Sequence, residues 1–170
     1  LLDRCVAAAV FGVALLLYGS TVAPTVAFWD TGEFIASAHT LQVNHPPAAP
    51  LYLLIGHLAS LLVPPEHVAL AVNLVSVGAS ALTVLLAHII AVMLVRHRRT
   101  TDSHDWMAEL PALGAGAVGA LTFATTDSFC FNAVEAEVYA LAAFLTALAC
   151  WLVLRWDAQV EEDAFWGRGT

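Results

Sequence analysis

The sequence has no lysine, and its six basic residues are all arginines, which leave two long stretches without a basic side chain. Charged residues make up only 12% of the chain and hydrophobic residues 60%, whereas a soluble domain carries about 25% charged residues. This shortage of charge argues against a soluble domain and indicates a protein embedded in a lipid bilayer. The net charge of −8 argues against a nucleic-acid partner, because such a partner requires a basic surface.

The sequence also lacks the familiar motifs of soluble enzymes. It contains no glycine-rich phosphate loop, no serine-nucleophile motif and no cysteine or histidine spacing typical of zinc sites. The three cysteines are Cys5, Cys130 and Cys150, and two of them lie in apolar runs. We therefore interpret the cysteines as small residues buried in the membrane.

Apolar segments predict an all-α fold, a polytopic transmembrane helix bundle in a single membrane domain over residues 1–170. A crossing helix needs about 20 apolar residues, and four segments approach or exceed this length: 5–22, 68–95, 110–126 and 138–154. Two shorter segments, 30–43 and 50–63, are predicted to be interfacial helices in the first outer loop. The first has apolar residues at helical spacing, and the second is too short to cross comfortably.

The arginines predict the orientation of this bundle. Four crossings place Arg4, the cluster at Arg96, Arg98 and Arg99, and Arg155 on the same side, and basic flanks mark the cytoplasmic side. The N-terminus is therefore predicted to be cytoplasmic, in a bacterial inner membrane or in the endoplasmic reticulum. A further crossing through 50–63 would place the arginine cluster outside, and we reject it. Because the chain lacks an initiator Met and ends in a polar run, we expect a fragment of a longer protein.

The stretch from Trp29 to Glu33 is the most informative local motif on the predicted outer side. Asp30 and Glu33 are three residues apart, so their carboxylates share one helix face. At a membrane surface such a pair can act as a general base and as a partner for a hydroxyl or a cation. The alternative is a helix start, with Asp30 as the N-cap and Glu33 as its reciprocal cap. The two roles are not exclusive.

Histidines give a second set of candidates. His45 precedes two prolines, which favour an extended, rigid turn, and a histidine held there can donate to a phosphate or bind a metal. The alternative is a loop histidine beside a helix breaker. His88 lies within a predicted spanning helix, where we expect it to make a structural hydrogen bond.

A second acidic cluster, Glu135 and Glu137, falls in a predicted short outer loop over 127–137. The two residues are two apart and cannot share a helix face, so we expect one to face the site and the other to face solvent. The alternative is a solvated loop. Upstream of this loop, Gly114, Gly116 and Gly119 resemble a small-residue face for helix packing.

Several separated motifs, taken in order, resemble a known membrane family. The chain reads Phe28-Trp29-Asp30-Thr31-Gly32-Glu33-Phe34, then His45-Pro46-Pro47-Ala48-Ala49-Pro50-Leu51-Tyr52, then Asn73 and Ser76, then Glu135-Ala136-Glu137-Val138-Tyr139. This order resembles the N-terminal part of a GT-C type polytopic glycosyltransferase family, that of the IPT-domain protein O-mannosyltransferases. The chain departs from the family at Ala48, where glycine is expected.

The resemblance implies transfer of a mannose-like sugar from a polyprenyl-phosphate donor to a hydroxyl of a protein or glycan acceptor, on the outer or lumenal face. It implies that Asp30 is the catalytic acid of the first outer loop, assisted by Glu33. We expect Trp29, His45, Glu135, Glu137 and Tyr139 to bind substrate. The lipid-phosphate sugar acts as donor substrate, and the use of a divalent metal is left open. GT-C enzymes have more membrane crossings than the four predicted here. The remainder of the same polypeptide is therefore an expected partner, and the fragment alone is expected to be inactive.

Two other classes compete with the enzyme: a transporter or channel subunit, and a non-catalytic membrane assembly protein. A transporter favours ionisable residues deep within its spanning helices. Here only His88 meets that description, while the acids cluster in predicted outer loops. This distribution favours the enzyme.

Overall fold

Helices account for the architecture in the computed structural model, which describes residues 1–46, 48–97 and 106–166 and has no strand among them. The prediction of an all-α polytopic fold is confirmed. The helices, in chain order, are α1 (Leu2–Thr21), α2 (Thr31–Thr40), α3 (Pro50–Ser60), α4 (Val68–His97), α5 (Trp106–Ala124), α6 (Asp127–Ala133) and α7 (Val138–Trp166), and a 3-10 turn at Pro65–His67 precedes α4.

Within the described parts of the chain, three helical segments are long and apolar enough to cross a membrane: Leu2–Thr21, Pro65–His97 and Val138–Val160. The apolar part of α5, Glu109–Ala124, is shorter, so its predicted crossing stays a prediction. Its two ends nevertheless lie beside the two ends of α1. Arg96 at the end of α4 contacts both Asp3 and Glu109, and the Tyr18 hydroxyl donates to the Ala124 carbonyl at 2.9 Å.

These contacts give the bundle two distinct ends, with α4 packed against α1, α5 and α7. Arg96 lies at one end, and Arg4 and Arg155 line one cavity there together with Asp3. We call this the arginine end. The opposite end, which we call the acidic end, carries Asp30 and Glu137 around another cavity. The charge separation that the sequence predicts is therefore present for Arg4, Arg96 and Arg155, whereas Arg98 and Arg99 lie outside the described residues. Its sidedness in the membrane stays a prediction.

Helices α4 and α5 approach each other closely at one of the three glycines, Gly116. A Cβ atom at Gly116 would lie 2.6 Å from a methyl of Val92 and 3.0 Å from Nδ1 of His88. At Gly114 and Gly119 it would meet nothing within 4 Å. Of these three glycines, the described helices thus use only Gly116 for close packing, and at Gly114 and Gly119 the packing face stays a prediction. Buried His88 lies against Gly116, and its Nδ1 lacks the structural hydrogen bond that we expected.

Helices α2 and α3 pair and pack on the start of α4 through an apolar cluster that includes Phe34, Tyr52 and Val72. Helix α2 is shorter than the predicted 30–43, because Leu41 adopts a left-handed conformation with φ of 53° and reverses the chain. The exposed apolar face of α3 is formed by Leu51, Leu54 and Leu58. Such a face fits the predicted interfacial position, which stays a prediction.

Two further boundaries differ from the prediction. The outer loop predicted over 127–137 contains helix α6, which begins at Asp127 directly after an extended Thr126. Helix α7 continues past the predicted end at 154 to Trp166. Hydropathy marks where apolar side chains stop, whereas a helix continues into a polar segment as long as its residues favour the helical backbone. The sequence pattern therefore located the apolar part of α7 and missed its polar extension.

Candidate functional site

The segment between α1 and α2 is held by a buried amide of α4. The Asn73 side chain donates to the carbonyls of Ala23 and Thr25, at 2.8 and 3.0 Å, and the Ala23 amide donates to the Val134 carbonyl at 2.9 Å. The segment then turns at Trp29, which has a left-handed φ of 59°. This turn brings Asp30 to the start of α2 at the acidic end.

The side chains of Asp30 and Glu33 do not form the helix cap that was the alternative prediction. Asp30 occupies the N-cap position of α2, and its side chain makes no capping hydrogen bond. Glu33 instead accepts two bonds from His45: from the backbone amide at 2.7 Å on Oε1 and from Nδ1 at 2.8 Å on Oε2. The Asp30 carboxylate, which is 59% exposed, is thus available for another partner.

His45 lies between the two carboxylates of the first motif. Its Nδ1 contacts Glu33, its Nε2 lies 3.9 Å from Oδ2 of Asp30, and its ring packs edge-on against Phe34. The hydrogen bond to Glu33 raises the pKa of His45, and the same contact lowers the pKa of Glu33. Glu33 therefore remains ionised, and it holds the imidazole in one orientation.

The second acidic cluster is turned inward, which corrects the prediction that one glutamate faces solvent. Glu135 and Glu137 are 4% and 7% exposed, because the turn between α6 and α7 packs on α4. Burial raises the pKa of Glu135. Burial, followed by the charges of Glu135 and Asp30, raises the pKa of Glu137.

A hydroxyl of α4 supports the backbone at Glu137. The Ser76 hydroxyl lies 3.2 Å from the Tyr52 hydroxyl and 3.4–3.5 Å from the carbonyl and amide of Glu137. Sequence reasoning noted Ser76 only as part of the family motif. A hydroxyl within an apolar helix was the available signal, and the structure shows that it joins α3, α4 and the acidic turn.

These elements surround a cavity of about 180 Å³ at the acidic end. Four predicted site residues line it: Asp30, His45, Glu137 and Tyr139. Phe34 and Asn44 line it as well, and sequence reasoning assigned neither to the site. Asn44 is 6% exposed, and its side-chain oxygen has no hydrogen-bond partner.

The remaining predicted residues lie outside the lining. Glu33 holds His45, Glu135 is buried, and Trp29 is 85% exposed. One ligand atom from each of Asp30, Glu33 and His45 lies within 4.8 Å of the other two, so these residues are suitable to hold a metal ion. The arrangement offers a free carboxylate for proton transfer and an oriented imidazole for a phosphate or a cation.

Comparison with known proteins identifies one family. The sequence profile described as the protein O-mannosyl-transferase TMEM260 N-terminal domain matches residues 30–166. A protein O-mannosyl-transferase tmem260 of Dictyostelium discoideum is 36% identical over 56 residues, which is 33% of this chain and 7% of that protein. Protein O-mannosyl-transferase TMEM260 of Mus musculus is 39% identical over 66 residues, 39% of this chain and 9% of its own length.

The matched segments of this chain thus cover less than a tenth of the length of these curated relatives. No solved structure gives a significant match.

Proposed function

Since the chain belongs to the family of the protein O-mannosyl-transferase TMEM260 N-terminal domain, we propose that it forms the acceptor-activating part of a membrane mannosyltransferase. The donor is a polyprenyl-phosphate sugar, and the acceptor is a hydroxyl of a protein. Its relatives carry the name protein O-mannosyl-transferase, which supports this general reaction. The donor class is what the resemblance to GT-C enzymes implies, and the proposed residue roles rest on the geometry of the acidic end.

The observation that carries the proposal is the cavity that gathers Asp30, His45, Glu137 and Tyr139 from three separate segments. Asp30 takes the proton of the acceptor hydroxyl as its oxygen attacks the anomeric carbon. An exposed carboxylate without a capping bond is suited to this role, because it has no helix amide to satisfy. Tyr139 is 63% exposed and lies at the cavity surface, where it contacts the sugar or the acceptor.

Glu33 and His45 act as a unit beside this base. The two hydrogen bonds from His45 to Glu33 orient the imidazole, so that Nε2 faces Asp30 and the cavity. The leaving polyprenyl phosphate requires a positive partner. Among the described arginines, Arg4, Arg96 and Arg155 all lie at the arginine end. His45 therefore supplies positive charge to the donor phosphate, either directly or through a bound cation.

The acidic end faces the outside of a bacterial inner membrane or the lumen of the endoplasmic reticulum. The exposed Phe28 and Trp29 lie beside Asp30 in the sequence, and aromatic side chains favour the membrane interface. They contact the headgroup region or the acceptor there. A transporter role gains no support from the described part of the chain, since His88 alone is an ionisable side chain in the middle of a spanning helix.

Transfer by the intact purified protein tests this proposal. We expect labelled mannose to reach a folded protein acceptor from a polyprenyl-phosphate donor and not from a nucleoside-diphosphate mannose. Transfer from the nucleotide sugar without a lipid carrier would contradict the donor class. A product from which mild base releases the sugar by β-elimination establishes attachment to a serine or threonine hydroxyl.

A further inference from the structure

We propose that the arginine end binds one anionic phospholipid, whose headgroup phosphate contacts Arg4 and Arg155 and whose acyl chain lies in a groove where α1, α4 and α5 meet. Two adjoining cavities and two arginines without an ionic partner carry this inference. It is independent of the proposed transfer, because the cavities lie at the opposite end of the bundle from Asp30.

The headgroup cavity lies between α1, α4 and α7 and has a volume of about 670 Å³. Arg4 lines it from α1, and Arg155 lines it from α7. Trp151 lies one turn before Arg155 on α7 and lines the cavity too, and the Arg155 guanidinium carbon is 5.4 Å from the centre of its ring. This cation–π contact positions the guanidinium at the cavity wall and leaves its charge uncompensated.

The arginines at this end differ in how their charges are balanced. Arg96 donates to both carboxylate oxygens of Asp3, at 2.9 and 3.0 Å, and also pairs with Glu109. Asp3 is the acid that lines the headgroup cavity, and its charge is thus already engaged. Among the described residues, neither Arg4 nor Arg155 forms an ion pair. Two uncompensated positive charges therefore line one cavity, and an anion complements them.

A second cavity, the acyl groove, adjoins the headgroup cavity and has a volume of about 230 Å³. The two cavities share four lining residues: Asp3, Arg4, Ile89 and Met93. The acyl groove is also lined by Ala7 of α1, Val92 of α4 and Leu113 of α5. These three apolar residues lie one to two turns inside the ends of their helices. The groove therefore leads from the arginines toward the apolar middle of the bundle.

This combination favours a phospholipid over a free anion. A free phosphate needs only the headgroup cavity, whereas a phospholipid joins a phosphate to acyl chains and matches both cavities. The surface of α7 next to Arg155 exposes Leu152, Val153 and Trp156, as a helix face in contact with lipid does. The predicted cytoplasmic position of this end places the site in the leaflet that carries anionic lipids, and basic pockets between spanning helices on that side bind such headgroups.

Retention of phosphatidylglycerol by the intact protein in a neutral detergent, measured by native mass spectrometry, tests the inference. We expect the native protein to retain phosphatidylglycerol in preference to phosphatidylcholine. Each arginine beside an anionic headgroup contributes roughly a fivefold gain in affinity, so Arg4→Gln combined with Arg155→Gln should weaken retention by about 25-fold. Arg4→Lys combined with Arg155→Lys keeps both charges and should restore most of the affinity. Asp157→Asn is the matched control, since this exposed residue of α7 does not line the cavity, and it should not weaken retention.

A second pair of variants tests the acyl groove. Ala7→Phe places a ring in the groove and should weaken the retention of phosphatidylglycerol. Ala8→Phe is its matched control, because Ala8 is exposed and does not line the groove, and it should retain the lipid as the native protein does. Glycerol 3-phosphate has the same phosphate without acyl chains, and at the concentration of the lipid it should not displace it.

Equal retention by the native protein and the double glutamine variant would overturn the inference, as would equal retention of phosphatidylcholine. Displacement of the lipid by an equal concentration of glycerol 3-phosphate would show that the site takes a free anion, and would overturn the assignment to a phospholipid. If the double variant does not fold, Arg155→Gln alone and the comparison of Ala7→Phe with Ala8→Phe decide the matter. Equal retention by all of these variants and the native protein would then refute the site.

Discussion

Replacement of Asn73 by alanine should destabilise the intact protein and misplace Asp30, although Asn73 does not line the cavity. Asn73 is fully buried, and its amide nitrogen makes two hydrogen bonds, at 2.8 and 3.0 Å, to carbonyls of the segment that leads to Asp30. A buried hydrogen bond contributes about 0.5–1.5 kcal/mol net. The loss of two therefore lowers the free energy of unfolding by about 1–3 kcal/mol.

Equilibrium unfolding in detergent measures this loss, and donor-dependent transfer measures its effect on the site. Asn73→Asp should be more destabilising than Asn73→Ala, because it places a second acceptor against the two carbonyls. Asn132→Ala is the matched control, since its amide donates to the Ser128 carbonyl on an exposed surface. We expect that control to stay within about 0.5 kcal/mol of the native protein.

An Asn73→Ala protein that unfolds at the native free energy and transfers mannose at the native rate would refute this reasoning. The segment before Asp30 would then be held by other contacts, such as that between Ala23 and Val134.

Three further predictions follow from the packing, the charges and the topology. Gly116→Ala should lower the free energy of unfolding by about 1–3 kcal/mol, because its Cβ would lie 2.6 Å from a valine methyl of α4. Gly119→Ala should be neutral or slightly stabilising, because a Cβ atom there would meet no other atom within 4 Å. Glu33 raises the pKa of its histidine partner, so their pairing is strongest below the ordinary histidine pKa and weakens as pH rises through the raised value. Glu33→Gln should accordingly lower the melting temperature more at pH 6 than at pH 9. With the native cysteines replaced, a cysteine at Ser128 should label from outside intact cells or vesicles, and one at Gln159 only after permeabilisation.

Each of these has a distinct contrary result. Equal stability of the two glycine variants would mean that α4 and α5 do not pack as described. A pH-independent effect of Glu33→Gln would show that the ionic part of the pairing contributes nothing. Outside labelling at Gln159 would invert the topology, and it would place the acidic end in the cytoplasm.

The helices that span the bundle were predictable because a membrane allows few alternatives. Long apolar runs without charge specify them, and the arginines specify which ends lie together. The pairing of Glu33 with His45 was not predictable from spacing, because it depends on the left-handed turn at Leu41, which carries neither glycine nor asparagine. The inward orientation of both Glu135 and Glu137 depends on how α6 and α7 pack on α4. The prediction used the rule that residues two apart do not share a helix face, and that rule does not apply to a turn between two helices.

The role of Asp30 shows what the structure adds to the motif. In the sequence, the spacing of Asp30 and Glu33 was consistent both with a helix cap and with a catalytic base. The absence of a side-chain cap at Asp30 and the engagement of Glu33 by His45 remove the reason to expect a capping box. The resemblance to the family indicated where to look, and the hydrogen bonds argue against the capping box alone. The role of Asp30 as a catalytic base stays a proposal.

The most direct measurement is donor-dependent mannose transfer by the intact protein carrying Asp30→Asn, read beside its unfolding free energy. Because the Asp30 side chain makes no capping bond, the variant should insert and unfold as the native protein does. It should lose transfer by roughly 10²–10⁴-fold, the usual contribution of a general base. Asp127→Asn, an exposed acid in the first turn of α6, should retain full transfer. Near-native turnover by Asp30→Asn would contradict the assignment of the base, and would direct the search to Glu135 and Glu137.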